Sequence, residues 1–488
     1  MLIDFVDKTN NVRENFLQSL VLLYLPCETF SKTDSGENKL TVRAYEENGT
    51  GFAEVEIKVG DRNKKNICSR KLSENTKIQM KNLIGEAFLK AAEEVFGYKS
   101  PWGIVTGIRP AKLAADYITK YGEKTALEIL KNEYFVMPEK AQICVRTAKN
   151  ELELTDNFEE KTTSLYVSIP FCPSKCRYCS FVSSSTPRLL SLIPEYLDKL
   201  CKEFNDISET IKELGLKLKT IYIGGGTPAI LEPDQIKLLL DSINNSFDTS
   251  GVGEYTFEAG RPDCITYEKL AAVKEYGVGR ISINTQTANN EILRNVGRKH
   301  TFEDYKNCMN TARECGIECI NTDLIAGLPG ESAESFFDSV NKVIDTGAEN
   351  ITVHSFTLKR SSEYKTANSA IVDANSKVAQ RMVEYAQNKL INSKYEPYYM
   401  YRQKNTVGNL DNTGFSIKGY ECLYNIYMMG EYHTVFAAGA GSVSKFVSHD
   451  RARIERIFSP KYPYEYLDVQ KYPGFDKKFA IDFYNKLY

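Results

Sequence analysis

The chain reads as an α/β protein, a partial (β/α)6 barrel with an α+β domain before it and a C-terminal extension after it. Three observations predict this. Short β-branched or aromatic runs alternate six times with longer helical stretches in the middle of the chain. A hairpin pattern followed by helices precedes them. At 488 residues the chain is too long for one compact core, since domains run to roughly 100 to 200 residues. The expected division is 1–160 for the N-terminal domain, 161–365 for the barrel and 366–488 for a substrate-side C-terminal domain.

In chain order, Leu40 to Val59 alternates apolar and polar residues around Glu46-Glu47-Asn48-Gly49-Thr50-Gly51, which predicts a β-hairpin. Ile78 to Phe96 sets Met80, Leu83, Ile84, Ala87, Phe88, Ala91 and Val95 at helical spacing, with Gly97 as a stop. Two further helices, Thr125 to Asn132 and Glu139 to Leu152, lead to the polar boundary Thr155 to Thr163. The six barrel strands are expected at Ser164–Ile169, Thr220–Gly224, Tyr255–Glu258, Arg280–Asn284, Cys319–Ile325 and Asn350–Phe356. Periodicity alone leaves a doubly wound sheet open; in either architecture the chemistry belongs at the C-terminal ends of the strands.

Composition narrows the function classes. With 62 basic against 64 acidic residues and 42% apolar content, the chain has neither a nucleic-acid footprint nor a membrane-surface field. The apolar stretch Phe16 to Pro26 is about half of what a bilayer span needs, and no leader cleavage site follows it. Twelve cysteines without disulfide spacing point to a cytoplasmic protein and to metal or redox chemistry at any tight cluster.

One such cluster exists. Directly after the first barrel strand, Cys172-Pro-Ser-Lys-Cys176-Arg-Tyr178-Cys179 puts three thiols in one loop at C-x3-C-x2-C spacing. Three thiolates leave one iron of a 4Fe-4S cluster open to a ligand, whereas a structural zinc site takes four Cys or His ligands and no His lies nearby. The remaining cysteines, Cys27, Cys68, Cys144, Cys201, Cys264, Cys308, Cys315, Cys319 and Cys422, read as buried free thiols. His354, the one histidine on a barrel strand, reads as a hydrogen-bonded core residue.

The triple-cysteine loop resembles that of the radical S-adenosylmethionine (radical SAM) superfamily. The string Tyr166-Val-Ser-Ile-Pro-Phe-Cys172 is similar to the oxygen-independent coproporphyrinogen III dehydrogenases and their relatives. Pro101-Trp-Gly-Ile-Val-Thr-Gly-Ile-Arg-Pro110 and Tyr398-Tyr-Met-Tyr-Arg-Gln-Lys404 look like the HemZ-type branch. The resemblance implies a 4Fe-4S cluster and S-adenosylmethionine as cofactors, with the open iron chelating the methionine group and cleavage of the sulfonium giving a 5′-deoxyadenosyl radical.

It also implies cofactor contacts at Gly225, Gly226 and Thr227 of Gly224-Gly-Gly-Thr-Pro228, and at Glu258, Gln286, Arg298 and Asp323, flanked by Tyr166, Tyr178 and Thr357. Glycines admit close backbone approach, and Arg298 offers a planar fork for a carboxylate. Two positions depart from the dehydrogenase pattern: Phe181 replaces a fourth cysteine and Ser168 replaces a histidine.

For substrate, the resemblance implies a carboxylated tetrapyrrole whose propionates are oxidatively decarboxylated, with an electron donor such as flavodoxin or ferredoxin. Arg402 within Tyr398 to Lys404 is the expected carboxylate contact, and Gly439 to Lys445 a second backbone-lined loop. No catalytic acid or base is identified. The alternatives are a haem-binding chaperone on the same fold, and radical modification of an RNA held by the Lys and Arg residues of Asp61 to Lys71.

Overall fold

The computed structural model describes residues 1–26, 28–32, 38–73, 75–181, 183–357, 369–403 and 406–485. The N-terminal sheet consists of β1 (Leu2–Asp7), β2 (Asn38–Glu47), β3 (Thr50–Val59) and β4 (Arg62–Lys71), in that spatial order. β1 runs parallel to β2, and the two hairpins are antiparallel. The first hairpin turns at Asn48-Gly49 with φ of 51° and 75°, the two-residue turn whose twist matches the flanking strands.

Alternate residues of β2 and β3 (Leu40, Val42, Ala44, Ala53, Val55, Ile57) enter one core with the helices Glu14–Tyr24 and Thr76–Phe96. The second of these helices ends at Gly97, whose φ of 76° returns its amide to the carbonyl of Glu93. The apolar stretch from Phe16 is the buried face of the first helix. β4 lacks an apolar alternation because it is an edge strand, and exposed cations on an edge discourage pairing with other chains.

Internal contacts divide the chain into two units. One comprises Met1–Leu152, Ala367–Gln380 and Met400–Asn412; the other comprises Glu153–Thr366, Arg381–Tyr399 and Thr413–Tyr488. This differs from the three consecutive domains expected from the sequence, because the last expected segment is shared between the two units.

In the second unit, β5 (Thr162–Ile169), β6 (Lys217–Gly225), β7 (Glu254–Gly260), β8 (Arg280–Ile283), β9 (Cys319–Ala326) and β10 (Asn350–Ser355) are parallel neighbours in sequence order. That order decides between the two architectures. A doubly wound sheet reverses at a switch point, whereas right-handed crossovers that always step the same way keep their helices on one face and curl the sheet toward a barrel.

The sheet continues past β10 to β12 (Asp411–Ser416), antiparallel to it, with β11 (Glu396–Arg402) outermost. Past β5 come β13 (Thr434–Ala438), parallel to it, and then β14 (Val443–Val447) and β15 (Ile454–Phe458). Helix Ile193–Glu213 shows how the outer layer closes: Tyr196, Leu197, Leu200, Phe204, Ile207 and Ile211 recur on one face and are buried. Among the described residues, no helix is long and apolar enough to cross a membrane.

Candidate cofactor site at the barrel mouth

The loop after β5 is held by its backbone. The amide of Cys172 donates to the carbonyl of Ser184 (3.1 Å), that of Cys179 to Cys176 (3.1 Å), and that of Arg177 to Val296 (3.0 Å). The glycine run after β6 presses on this loop. A Cβ on Gly226 would sit 2.5 Å from the carbonyl oxygen of Phe171, and Gly225 has a φ of 111°. The Thr227 amide donates to Phe171 (2.8 Å), and its hydroxyl lies 3.5 Å from Cys172 Sγ. The glycines therefore seat the cysteine loop, and Thr227 reaches the first thiol.

Cys172, Cys176 and Cys179 are free thiols, two buried and one half-buried. Burial pushes the Cys172 thiol up, and it pushes Cys179 up to about 11 against a hydrogen bond from the Phe181 amide. Among the described residues, no three His, Cys, Asp or Glu side chains are grouped so as to hold a metal ion. The donor set fits a cluster nonetheless: three thiols on one fixed loop, with cationic groups beside them to offset thiolate charge.

One of those cations has no sequence signal of its own. Arg261, after β7, donates to Cys176 Sγ at 3.5 Å and to the carbonyl of Ser174 at 3.0 Å, and it pairs with Asp263 at 2.8 Å. The other is Arg298, buried, with Nε 3.1 Å from the Tyr178 hydroxyl and Nη1 3.3 Å from the carbonyl of Gly260.

The carboxylates of Glu258 and Asp323 stand on β7 and β9, with β8 between them. Tyr222 donates to Glu258, whose second carboxylate oxygen lies where a Cβ on Gly224 would come within 2.7 Å. Burial pushes the Glu258 carboxyl up to about 7; the charge of Asp323 adds to the rise, while the Tyr222 hydroxyl and the Gly225 amide oppose it. Asp323 accepts from Asn321 (3.0 Å), and its other oxygen is 3.7 Å from His354 Nε2. His354 is thus half-buried beside a site carboxylate.

Gln286 has a φ of 72°, unusual for a residue with a side chain. Its amide donates to the Asp323 carbonyl and its carbonyl accepts from Ile325 (both 2.9 Å), while its buried Oε1 has no partner among the described residues. A conformation of this kind costs on the order of 1 to 3 kcal/mol and persists where the surroundings over-determine it. Glu331, also missed in the sequence, braces the following turn by accepting from Thr287 (2.5 Å) and Ser335 (3.2 Å).

The remaining expected positions lie in the same unit. Tyr166 pairs in register with Tyr222, with their rings 6.2 Å apart, and Tyr424 lies 4.5 Å from Tyr222. Thr357 is buried just beyond β10 and donates to the carbonyl of Ser355. The Gly439 to Lys445 turn uses its amides internally, Gly439 donating to Glu203 (2.9 Å) and Ala440 to Tyr196 (2.8 Å). Of the other cysteines, Cys201 and Cys315 are half-buried rather than buried, and Cys27 lies outside the described residues.

Arg402 belongs to the first unit and is buried there. It donates to the Val105 carbonyl and to Asn409 (2.5 Å), with its guanidinium 5.5 Å from the Trp102 ring. Burial lowers its pKa to about 10. Beside it, Asp411 accepts from Lys140 (2.7 Å) and from Trp102 (3.2 Å). Both motifs quoted for the HemZ-type branch therefore meet in this buried network; Lys404 lies outside the described residues.

Comparison with known proteins shows the family. A family model for the radical SAM superfamily matches residues 166–343. The chain is 38% identical over 392 residues to the oxygen-independent coproporphyrinogen-III oxidase-like protein HemZ of Bacillus subtilis (strain 168), covering 80% of this chain and 78% of that one. It is 39% identical over 197 residues to the heme chaperone HemW of the same organism, where the match spans 39% of this chain and 50% of the relative. A solved coproporphyrinogen III oxidase (HemN) from Escherichia coli aligns over 66% of this chain and 72% of that one, with a TM-score of 0.49 and 22% identity.

Proposed function

We propose, from the premise that this chain belongs to the radical SAM superfamily and to its coproporphyrinogen-III-oxidase-like family, that it oxidatively decarboxylates a propionate of a carboxylated tetrapyrrole in haem biosynthesis. It is a radical SAM oxidoreductase with a 4Fe-4S cluster and S-adenosylmethionine as cofactors. Together these supply a 5′-deoxyadenosyl radical able to abstract hydrogen from substrate.

The chain's own residues would prepare that chemistry. Cys172, Cys176 and Cys179 hold the iron, and Arg261 and Arg298 offset thiolate charge. Glu258 and Asp323 would accept hydrogen bonds from the cationic and hydroxyl groups of the cofactor, Arg298 would hold its carboxylate, and Gln286 Oε1, which has no donor among the described residues, could accept one from it. Gly225, Gly226, Thr227, Tyr166, Tyr178 and Thr357 complete the walls.

The observation that carries the substrate class is the relative at 38% identity over most of both chains. An electron-carrier protein goes with that relationship, and the described cysteines, all free thiols, support a cytoplasmic setting. The test is anaerobic incubation of reconstituted, reduced protein with S-adenosylmethionine, with and without coproporphyrinogen III. Deoxyadenosine together with a decarboxylated porphyrinogen supports the reading; deoxyadenosine alone removes the substrate.

One observation favours a second reading. The heme chaperone relative matches at 39% identity, and Ser168 and Phe181 stand where the dehydrogenases carry His and Cys. Stoichiometric haem binding without porphyrinogen turnover would decide for a chaperone. The RNA reading gains nothing from Asp61 to Lys71: Lys65 pairs with Glu54, and Arg70 with Glu86 and Glu133.

A further inference from the structure

The loop that leaves β8 is tied down on both sides of its left-handed residue. Gln286 itself is bridged to β9 through its backbone, amide to the Asp323 carbonyl and carbonyl to the Ile325 amide. One residue on, the Thr287 hydroxyl donates to Glu331 Oε1 at 2.5 Å and lies 3.1 Å from Ser339 Oγ. Ser335 donates to the same Glu331 oxygen (3.2 Å), the Ala288 amide donates to Ser339 (2.9 Å), and Asn289 Nδ2 donates to Ser335 (3.0 Å). Ser335 and Ser339 lie one turn apart on the helix Ala333–Asp345, so one helix face presents both hydroxyls to the loop. Across Gln286, the Thr285 hydroxyl donates to the Thr287 carbonyl at 2.7 Å.

A residue with a side chain sits at a φ near +70° at a cost, and it relaxes when an anchor beside it is lost. The bridge to β9 orients the peptide groups of Gln286, whereas the direction in which the chain leaves is set at Thr287. Glu331 is the carboxyl that fixes Thr287, and the fold bears a penalty for having it there. The residue is 7% exposed, burial pushes its carboxyl up to about 7, and Oε2 has no partner among the described residues. An apolar side chain of similar volume would fill the space without that penalty. What Glu331 contributes is therefore a fixed acceptor rather than packing.

We propose that Glu331 is a positioning residue of the cofactor site: by tethering Thr287 it holds Gln286 in the left-handed conformation that keeps Oε1 available to a ligand. The proposal rests on the reading of Gln286 as a contact to S-adenosylmethionine. Glu331 acts through Thr287 and Gln286, without a cofactor contact of its own. Its Oε1 can accept from Thr287 whether or not the carboxyl carries a proton on Oε2, so an amide at this position keeps the tether.

The experiment measures S-adenosylmethionine affinity per cluster in the reconstituted holoenzyme by anaerobic equilibrium dialysis, with iron content and thermal denaturation alongside. The variants are Gln286→Ala, Glu331→Ala, Glu331→Gln and the double variant Gln286→Ala/Glu331→Ala. Gln286→Ala should weaken binding by on the order of tenfold, the worth of one hydrogen bond from a charged or polar donor. Glu331→Ala should lose a similar factor with the cluster retained, and the double variant should match Gln286→Ala to within about twofold. Glu331→Gln should bind within about twofold of wild type. Thr287→Val cuts the same tether from the other end and carries the same test should Glu331→Ala fail to fold.

Wild-type affinity in both Glu331→Ala and Thr287→Val overturns the proposal. So do losses from Gln286→Ala and Glu331→Ala that multiply in the double variant, since the glutamate would then act elsewhere, and so does a Glu331→Gln as weak as Glu331→Ala. Loss of iron in step with affinity makes Glu331 a support of the fold and overturns it as well. Wild-type affinity in Gln286→Ala overturns instead the reading of Gln286 as a cofactor contact, so the two failures are distinguishable.

Discussion

At the barrel mouth a buried glutamine oxygen has no partner among the described residues and a buried glutamate carboxyl titrates near neutrality; around Arg402 the two terminal guanidinium nitrogens and the Asp411 carboxylate are engaged within the protein, while Arg402 Nε and Asn409 Nδ2 are buried donors without a partner among the described residues. Both regions gather arginine, carboxylate and aromatic side chains, and in sequence both read as ligand contacts. What separates them is where the hydrogen bonds go. Gln286 Oε1 is left as an acceptor without a donor among the described residues, whereas the atoms left over around Arg402 are donors. Arg402 and Asp411 serve a carbonyl, an amide, an indole and an ammonium of their own unit. The first arrangement suits recognition; the second suits bracing a fold.

The comparison breaks most sharply at the cluster. Replacing Cys172, Cys176 and Cys179 together by Ala should abolish the 4Fe-4S chromophore, while Ala at any of the other cysteines should retain it. Iron and sulfide analysis of anaerobically reconstituted protein measures this, and a full cluster in the triple variant would refute the site.

Next in size is the buried brace. Asp411→Ala leaves Lys140 and the Trp102 indole without their acceptor, and removing one partner of a buried pair costs about 3 to 5 kcal/mol. Thermal denaturation should show the loss, and deletion of residues 1–152 should give insoluble protein because Arg402 and Asp411 lose the same partners. Arg402→Ala should likewise destabilise, with deoxyadenosine formation per folded molecule unchanged. Normal stability of Arg402→Ala with lowered substrate turnover would return the residue to substrate binding.

How much of this was legible follows the physics of each element. The six barrel strands are buried β-branched runs, so composition marks them; the observed and expected strand ends differ by three residues or fewer. β1, β4 and β15 lie at sheet edges, where exposure weakens the pattern, and β13 and β14 are only five residues each. The triple-cysteine loop was legible because its spacing is local. Arg261 was not, since nothing in Gly260-Arg261-Pro262 says that its guanidinium reaches a thiol two strands away. The left-handed backbone at Gln286 was equally silent, being set by pairing with β9. Arg402 shows the converse: a legible motif whose burial no single sequence reveals.

A smaller effect sharpens the cofactor side. Arg298→Ala and Asp323→Asn should each weaken S-adenosylmethionine binding by roughly tenfold to a hundredfold, the worth of one charge-assisted hydrogen bond, with the cluster retained. Equilibrium dialysis under anaerobic conditions reads it. Unchanged affinity in both variants would detach these residues from the cofactor.

The smallest expected effect is a pH dependence set by Glu258. Its carboxyl is held up to about 7, chiefly by burial, so below that pH the side chain is protonated in the cofactor-free protein. To accept a hydrogen bond from a cationic group of the cofactor it must ionise, and the incoming positive charge favours that form. Binding therefore releases a proton below pH 7. Affinity should fall as pH drops, approaching about tenfold per unit well below the carboxyl's pKa, and should level off above it. Glu258→Gln carries no titrating proton, so its binding should be weaker at about pH 8 yet nearly independent of pH between about 5.5 and about 8. A variant that keeps the wild-type slope would show that another group titrates, and would place Glu258 among the braces with Asp411 rather than among the cofactor contacts.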